Sequence, residues 1–272
     1  RLLDRESVRL SLDDMGFSRD NLDRVKDLLS RPHGIFLVTG PTGSGKTTTL
    51  YAALSRLNED STKILTVEDP VEYQIAGINQ IQVHAQIGLT FAQALRSILR
   101  QDPDIIMIGE MRDTETAQIA VQSSLTGHLV FSTLHTNTAA SAVVRLKDMG
   151  VEPYLITSTV SGVMGQRLVR RLCPSCKRAV ELPDSVREGA GLDRIAPEGG
   201  AYFEPVGCEA CSQTGYRGRL AIHELLVMDN DLRQEVLVEV GLAEDDSRGV
   251  TASGFIEAEE IDLAPELGGR LA

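Results

Sequence analysis

The chain has 272 residues, of which 42% are hydrophobic, and a formal net charge of −12 at pH 7. This length can bury a full core and predicts one large domain with smaller appendages. The acidic balance argues against a broad nucleic-acid footprint, although it leaves room for a local basic patch. No apolar run approaches the ~18 residues that a membrane span needs. We therefore expect a soluble, cytoplasmic protein, one that could still work at a membrane surface.

The two ends of the chain differ in character from its middle. The sequence begins at Arg1 without Met and without a signal or transit peptide, so it reads as a cut through a longer protein. We interpret residues 1–14, where Leu10 and Leu12 alternate as in a strand, as the end of a preceding N-terminal domain. Residues 241–272 carry eight acidic and two basic residues with weak patterning, which predicts an acidic, poorly ordered tail.

Strand and helix patterns alternate between the ends, and we predict a core domain over residues 15–170. Near-continuous apolar strands imply burial on both faces, and their alternation with helices predicts an α/β fold with a mostly parallel sheet. The predicted strands are 35–39, 64–68, 105–108 and 129–134. The predicted helices are 46–58, 91–101, 114–125, 138–149 and 154–170.

A glycine-rich stretch from Gly40 to Thr47 is the most informative part of the sequence, because it fits the pattern G-x-x-x-x-G-K-[ST]. It follows an apolar strand and opens a helix, which is the arrangement that aims a helix N-terminus at phosphate. Lys46 is placed to reach the β- and γ-phosphates, and the Thr47 hydroxyl suits Mg²⁺. The pattern predicts an ATP site; the alternative is a glycine-rich turn without a ligand. The predicted binding residues are Gly40, Pro41, Thr42, Gly43, Ser44, Gly45, Lys46, Thr47 and Thr48.

Three further segments supply candidate catalytic groups. Glu110 ends an apolar strand, where it can orient or deprotonate water, unless it is simply an exposed strand end. Glu68 and Glu72 lie in an acidic segment after another strand and can hold Mg²⁺ or the attacking water, although an acidic turn would look the same. His135, at the carboxyl end of a strand, can contact the γ-phosphate. The remaining histidines are weaker candidates: His128, which precedes that strand, stays open, and His33, His84 and His223 are interpreted as structural.

Four cysteines form two C-x-x-C pairs within residues 171–220, a segment with little periodicity. Two such pairs can present four thiolates tetrahedrally to a structural Zn²⁺, and a reducing cytoplasm disfavours disulfides. We therefore predict a small zinc-binding subdomain over 171–220, followed by a C-terminal helical segment over 221–240. The predicted ligands are Cys173, Cys176, Cys208 and Cys211. A nearby basic cluster includes Arg167, Arg170 and Lys177. It is interpreted equally well as a nucleotide-sensing edge or a partner surface, or as an ordinary solvated face.

These blocks, in this order, resemble the secretion-ATPase superfamily, closest to the assembly ATPases of type II secretion, with the type IV pilus extension ATPases as near neighbours. The matching motifs are the Walker A loop, the Asp box Thr66–Glu72, the Walker B segment Gly109–Asp113 and the His box Thr126–His135. The paired C-x-x-C motifs fit as well, because pilus retraction members typically lack them.

The resemblance implies a RecA-like P-loop NTPase core in a homo-hexameric motor on the cytoplasmic face of the bacterial inner membrane. ATP hydrolysis would drive pseudopilus assembly through inner-membrane platform proteins, which the family binds through N-terminal domains that this chain lacks. The superfamily's Walker B acid is a glutamate, which supports Glu110 as catalytic. By position, Glu68, Glu72 and His135 would surround the γ-phosphate and Mg²⁺.

Two departures from the family pattern qualify this resemblance. The missing N-terminal domains also supply arginines across subunits, so we expect this chain to bind ATP weakly, hydrolyse it slowly and assemble poorly. The sequence from about Gly241 does not look like the family's helical C-terminus.

Two other functional classes compete with the motor. A nucleic-acid motor would share the RecA-like fold, but the acidic charge and the absence of Trp argue against it, and we expect no nucleic-acid partner. A non-catalytic, zinc-stabilised scaffold is disfavoured because Lys46, Thr47 and Glu110 are all present.

Overall fold

The computed structural model describes residues 11–189, 192 and 201–239, and the elements below are those of this part of the chain. The strands are β1 Gly34–Thr39, β2 Ile64–Glu68, β3 Asn79–Gln82, β4 Ile105–Ile108, β5 Leu129–Leu134, β6 Val160–Leu172, β7 Arg178–Val180, β8 Tyr202–Glu204 and β9 Tyr216–Val227. The helices are α1 Arg19–Leu29, α2 Lys46–Leu57, α3 Phe91–Ile98, α4 Thr114–Leu125, α5 Ala139–Asp148, α6 Pro153–Thr159, α7 Asp184–Gly189 and α8 Asn230–Glu239.

Seven of the strands form one sheet in the order β3-β2-β4-β5-β1-β6-β9. All neighbouring pairs are parallel except β6 and β9, which are antiparallel. Every residue of β1, β2, β4 and β5 is buried, as expected for strands covered on both faces. The predicted α/β fold with a mostly parallel sheet is confirmed.

Helices cover both faces of the sheet, and each face has its own apolar cluster. On one face α3, α4, α5 and α6 pack against residues such as Leu37 and Ile106. On the other face α1 and α2 pack against residues such as Phe36 and Phe131. Successive strand residues thus point into different clusters, which explains why the strands are apolar without alternation. No helix in the described part of the chain has the length and apolar character of a membrane span.

Side-chain caps explain where several helices begin. The Thr90 hydroxyl accepts a hydrogen bond from the Gln93 backbone N–H at 3.3 Å, at the start of α3. Asp113 accepts from the Thr116 N–H at 2.8 Å, at the start of α4. Such bonds satisfy donors that have no partner inside the helix. The predicted helices 46–58, 91–101, 114–125 and 138–149 correspond to α2, α3 with a following 3₁₀ turn, α4 and α5.

The predicted helix over 154–170 is wrong beyond its first turns. Helix α6 ends at Thr159, and the chain continues as the 13-residue strand β6 between β1 and β9. Apolar residues in this segment fit a helical period, but Gly162 and Gly165 weaken a helix. Gly162 also allows close packing, because a Cβ there would lie 2.8 Å from a side-chain methyl of Leu28 on α1.

Two predictions near the ends of the chain also need correction. Residues 221–227, predicted as helical, belong to β9, and the helix starts only at Asn230. Leu12 lies in a 3₁₀ turn and packs into the cluster beneath α1 and α2, whereas Leu10 and the tail 241–272 lie outside the described residues. The division into a core and a cysteine subdomain stays a prediction.

Candidate functional site

The glycine-rich loop joins β1, in the middle of the sheet, to α2. Gly43 and Gly45 have φ angles of 83° and 89°, which side chains other than glycine rarely adopt. Gly45 occupies the N-cap position of α2 and brings no side chain to cap the helix. The first N–H groups of α2 therefore face the loop uncapped, which is the condition for binding an anion at a helix N-terminus.

Lys46 lies across this loop in a buried position. Its Nζ donates hydrogen bonds to the carbonyl oxygens of Gly40 at 2.8 Å and Pro41 at 3.2 Å. Burial lowers the pKa of Lys46, while the negative charge of Glu110 acts in the opposite direction. The loop lysine and the predicted catalytic carboxylate are thus close enough to influence each other.

Glu110 follows β4 and has a side chain only 11% exposed. It forms an ion pair with Arg112, whose pKa is raised mainly by that hydrogen bond. The Nε2 of His135 lies 3.4 Å from Oε2 of Glu110, with the imidazole half exposed. The structure therefore brings together Lys46, Glu110 and His135, three residues that the sequence predicted from separate motifs.

Hydrogen bonds hold the ends of β1, β4 and β5 in register around these groups. The Thr133 hydroxyl donates to the Gly109 carbonyl at 2.7 Å, and the Met111 N–H donates to the Thr133 carbonyl at 3.1 Å. The Thr39 hydroxyl accepts from the Thr136 N–H at 2.9 Å. Residues on either side of Glu110 and His135 are thereby fixed to neighbouring strands.

Glu68 sits at the end of β2 in a buried polar network that the sequence did not reveal. It accepts hydrogen bonds from the Tyr51 and Thr66 hydroxyls, and from the Gln80 amide at 3.1 Å. Burial, followed by the contact with Glu68, raises the pKa of Tyr51 far above its ordinary value. This network ties α2, which carries the loop lysine, to β2 and β3. Glu72, further along the same segment, is exposed.

The structure places His128 away from the loop. It lies just before β5, at the opposite end of that strand from His135, and its Nδ1 is 2.8 Å from the Ser123 carbonyl oxygen at the end of α4. His33 and His84 are exposed. His223 is buried, and its ring stacks on Phe17 with the centroids 3.9 Å apart; burial lowers its pKa to about 4.

A functional candidate that sequence reasoning missed is Gln166, on β6 directly behind the loop. Its Nε2 donates to the Ser44 carbonyl at 2.9 Å, and its Oε1 accepts from the Thr49 hydroxyl at 2.7 Å. The incorrect helix over 154–170 hid this residue. A single amide directly after the mostly apolar run from Val160 to Gly165 is the signal that could have identified it.

Three residues of the basic cluster near the cysteines have contacts within the chain. Arg167 donates to the Asn137 carbonyl at 3.2 Å, Arg170 lies 4.0 Å from the centre of the Tyr216 ring, and Lys177 lies 4.3 Å from that of Phe203. These contacts account for part of the cluster, and a partner surface here stays a prediction.

The four cysteines converge where β6 ends and β9 approaches. All four Sγ atoms lie within 4.8 Å of one another. The Sγ distances are 3.9 Å for Cys173 to Cys208, 3.9 Å for Cys176 to Cys211, and 3.7 Å for Cys208 to Cys211. Four thiolates arranged tetrahedrally at the usual Zn–S length of about 2.3 Å would lie about 3.8 Å apart. The cluster therefore fits a four-coordinate metal and not a pair of disulfides.

Backbone N–H groups donate to two sulfur atoms of this cluster and favour the thiolate form of Cys211. Desolvation acts against ionisation, but N–H donors from Cys208 and Gly215, each 3.2 Å from Sγ, lower the pKa of the Cys211 thiol to about 6. The Gly207 N–H donates to the Cys176 sulfur at 3.4 Å, but desolvation outweighs this bond and raises the pKa of the Cys176 thiol to about 11. Bonds of this type orient metal ligands from outside the coordination sphere.

The sheet order, the uncapped glycine loop between β1 and α2 and the acid at the end of β4 define an α/β P-loop NTPase fold. A family model described as "Type II/IV secretion system protein" matches residues 1–252. The chain belongs to this family.

Similar proteins agree with this assignment. The chain is 59% identical over 248 residues to the type II secretion system protein HxcR of Pseudomonas aeruginosa, covering 91% of this chain and 48% of that protein. It is 55% identical over 241 residues to the type II secretion system ATPase E of Vibrio cholerae, covering 89% of this chain and 48% of that protein. The chain thus spans about half the length of the curated relatives it matches.

Solved structures give the same fold. The pilus retraction motor PilT with bound ADP is similar with a TM-score of 0.61 at 30% identity, covering 85% of this chain and 56% of that chain. The ATPase DotB of Legionella pneumophila is similar with a TM-score of 0.59 at 28% identity, covering 84% of this chain and 53% of that chain.

Proposed function

We propose that this chain is the ATP-hydrolysing part of a type II secretion ATPase. The observation that carries the proposal is the meeting of the glycine loop, Lys46, Glu110 and His135 at the carboxyl ends of parallel strands. Ligands of open α/β sheets bind at this edge. The names of the relatives support type II secretion over pilus extension.

Each group has a distinct role in binding the triphosphate. The uncapped N–H groups of α2 and the loop bind phosphate oxygens, and Lys46 exchanges its bonds to the Gly40 and Pro41 carbonyls for the β- and γ-phosphates. The Thr47 hydroxyl and nearby carboxylate oxygens are the donor types that Mg²⁺ prefers, and Mg²⁺ would neutralise phosphate charge.

Glu110 is the proposed base or water-orienting residue, and His135 the contact to the γ-phosphate. The ion pair with Arg112 holds the Glu110 carboxylate at the end of β4. Glu68 and Glu72 stay candidates for holding water or Mg²⁺. Glu68 would first have to release Tyr51 or Thr66, so in the present arrangement it acts by holding α2 against β2.

We further propose that Cys173, Cys176, Cys208 and Cys211 hold a structural Zn²⁺. The thiol spacing supports a tetrahedral site, and four protein ligands leave no open position for catalysis. The ion would join the ends of β6 and β9 and the loops between them.

For the whole protein we propose a homo-hexamer at the cytoplasmic face of the bacterial inner membrane. ATP hydrolysis would power pseudopilus assembly and protein export through inner-membrane platform proteins, with no nucleic-acid partner. The named relatives, about twice as long as this chain, support this assignment.

The test is the Glu110→Gln variant of this chain. Phosphate release should fall by about 100-fold or more, the range typical for loss of a general base, while the dissociation constant for a fluorescent Mg–ATP analogue stays within about threefold. Glu115→Gln, an exposed carboxylate on α4, is the matched control and should leave both quantities unchanged. Equal phosphate release by Glu110→Gln and the unmodified chain would remove Glu110 from the mechanism.

A further inference from the structure

Gln166 is buried, with 3% of its surface exposed, in the middle of β6. Both ends of its amide are used by the phosphate loop and its helix. The Nε2 group donates to the Ser44 carbonyl within the loop, and Oε1 accepts from Thr49 in the first turn of α2. Glutamine suits this position because one planar group presents a donor and an acceptor side by side.

The loop also packs directly on Gln166 through its glycines. A Cβ at Gly45 would lie 2.9 Å from Nε2 of Gln166, and a Cβ at Gly40 would collide with the Gln166 backbone carbonyl oxygen. Gly40 and Gly45 therefore have to be glycines because β6 packs closely against the loop at these two positions. Gln166 thus contacts the loop from the side that packs on β6.

The two hydrogen bonds fix the angle between the loop and α2. Ser44 precedes the turn into the helix, and Thr49 lies one turn inside it, so a single amide holds both ends of the segment that carries Lys46. An apolar replacement would leave the Ser44 carbonyl and the Thr49 hydroxyl buried without this partner, which is costly in a closed interior.

We propose that Gln166 is a positioning residue for nucleotide binding, which sets the phosphate loop against the N-terminus of α2 without touching the nucleotide. This inference rests on the proposed function, because it assumes that the loop binds Mg–ATP. The loop would bind the phosphates equally in the ground state and in the transition state. Loss of Gln166 should therefore weaken the affinity for Mg–ATP more than it lowers kcat.

The main test is Gln166→Met, which keeps the unbranched shape and removes both hydrogen bonds. We expect the KM for Mg–ATP and the dissociation constant of a fluorescent Mg–ATP analogue to rise about tenfold, with kcat changed less than threefold. Gln118→Met makes the same chemical change at an exposed site on α4. This control should leave KM, the dissociation constant and kcat unchanged. A residue that only fills space would lower the melting temperature without this split between KM and kcat.

Thr49→Val is a second, independent test, because it removes one of the two hydrogen bonds at nearly constant shape. It remains informative if Gln166→Met fails to fold. We expect about a threefold rise in the dissociation constant. Affinity within twofold of the unmodified chain in the folded Gln166→Met protein, or in Thr49→Val, would overturn the inference.

Lys46→Ala separates this outcome from failure of the proposed function. If the unmodified chain binds Mg–ATP and Lys46→Ala does not, the loop is a nucleotide site, and a neutral result at Gln166 rejects only its positioning role. If the unmodified chain does not bind Mg–ATP, both proposals fail.

Discussion

Every residue of β1, β2, β4 and β5 is buried, whereas between Cys173 and Gly215 the described residues bury only two side chains, both cysteines. The sheet is therefore stabilised by the removal of apolar surface from water. The described residues of the cysteine segment form no comparable core, and we propose that this segment depends instead on the four thiols that meet at one point. The two regions share β6 and β9, so packing holds one end of this pair of strands, and the proposed metal ligands would hold the other.

The sharpest way to break this comparison is to remove the metal. Structural zinc contributes about 10–16 kcal/mol in small finger peptides, so Cys208→Ser in the zinc-loaded chain should open the cysteine segment. We expect limited proteolysis between residues 173 and 215 to become at least about 100-fold faster, while the sheet keeps its unfolding transition. Mass spectrometry of the fragments and zinc content measure the effect.

Ser175→Ala, between two ligands of the same loop, is the control and should retain the metal and resist the protease. If Cys208→Ser kept stoichiometric zinc and normal resistance to proteolysis, the segment would not depend on the four thiols.

The second largest effect is expected in the sheet. Phe131 on β5 is fully buried, and Phe131→Ala should lower the free energy of unfolding by about 3–5 kcal/mol because it leaves a cavity. Zinc stoichiometry should not change. Phe203→Ala, which truncates a half-buried ring in β8, should cost distinctly less in the same denaturant titration. Equal losses would mean that the two regions do not differ in how they use apolar burial.

The smallest predicted effect is a loss of stability at acidic pH, caused by His223 on the shared strand β9. Burial lowers the pKa of His223 from 6.5 to about 4, so the native state binds this proton more weakly than the unfolded chain does. Stability from this group is complete above about pH 7 and falls as the pH drops from about 6.5 to 4. Between pH 7.5 and 5 the loss is about 2 kcal/mol.

Denaturant titrations at the two pH values test this assignment. His223→Phe, which can keep the stack on Phe17, should lose about 2 kcal/mol less than the unmodified chain over this range. His33→Gln, which replaces an exposed histidine, should lose as much stability over this range as the unmodified chain. An identical acid response in all three proteins would exclude His223 as the source.

The core could be predicted from sequence because its signals are local. The strands 64–68, 105–108 and 129–134 and the helix 114–125 have the predicted bounds, since apolar runs, caps and glycine breaks lie within each segment. The meeting of Lys46, Glu110 and His135 followed from a general property of parallel sheets, whose carboxyl ends share one edge.

The rest depended on pairing between distant segments. The apolar residues of β6 are spaced in a way that also fits a helix. This segment is a strand because it pairs with β1 and β9. The buried bonds of Glu68 required knowledge of how α2 lies on β2, and Gln166 required the register of β6 behind the loop. No local pattern encodes such contacts, which are set by tertiary packing.

The sheet also ends in two unlike outer strands. Strand β3 is four residues long, polar and partly exposed, and β9 carries the exposed Arg217 and Arg219 near its start. Short or charged edge strands disfavour backbone pairing with a strand of another molecule. Copies of this chain are therefore expected to meet through side-chain surfaces, and not by joining their sheets into a continuous ribbon.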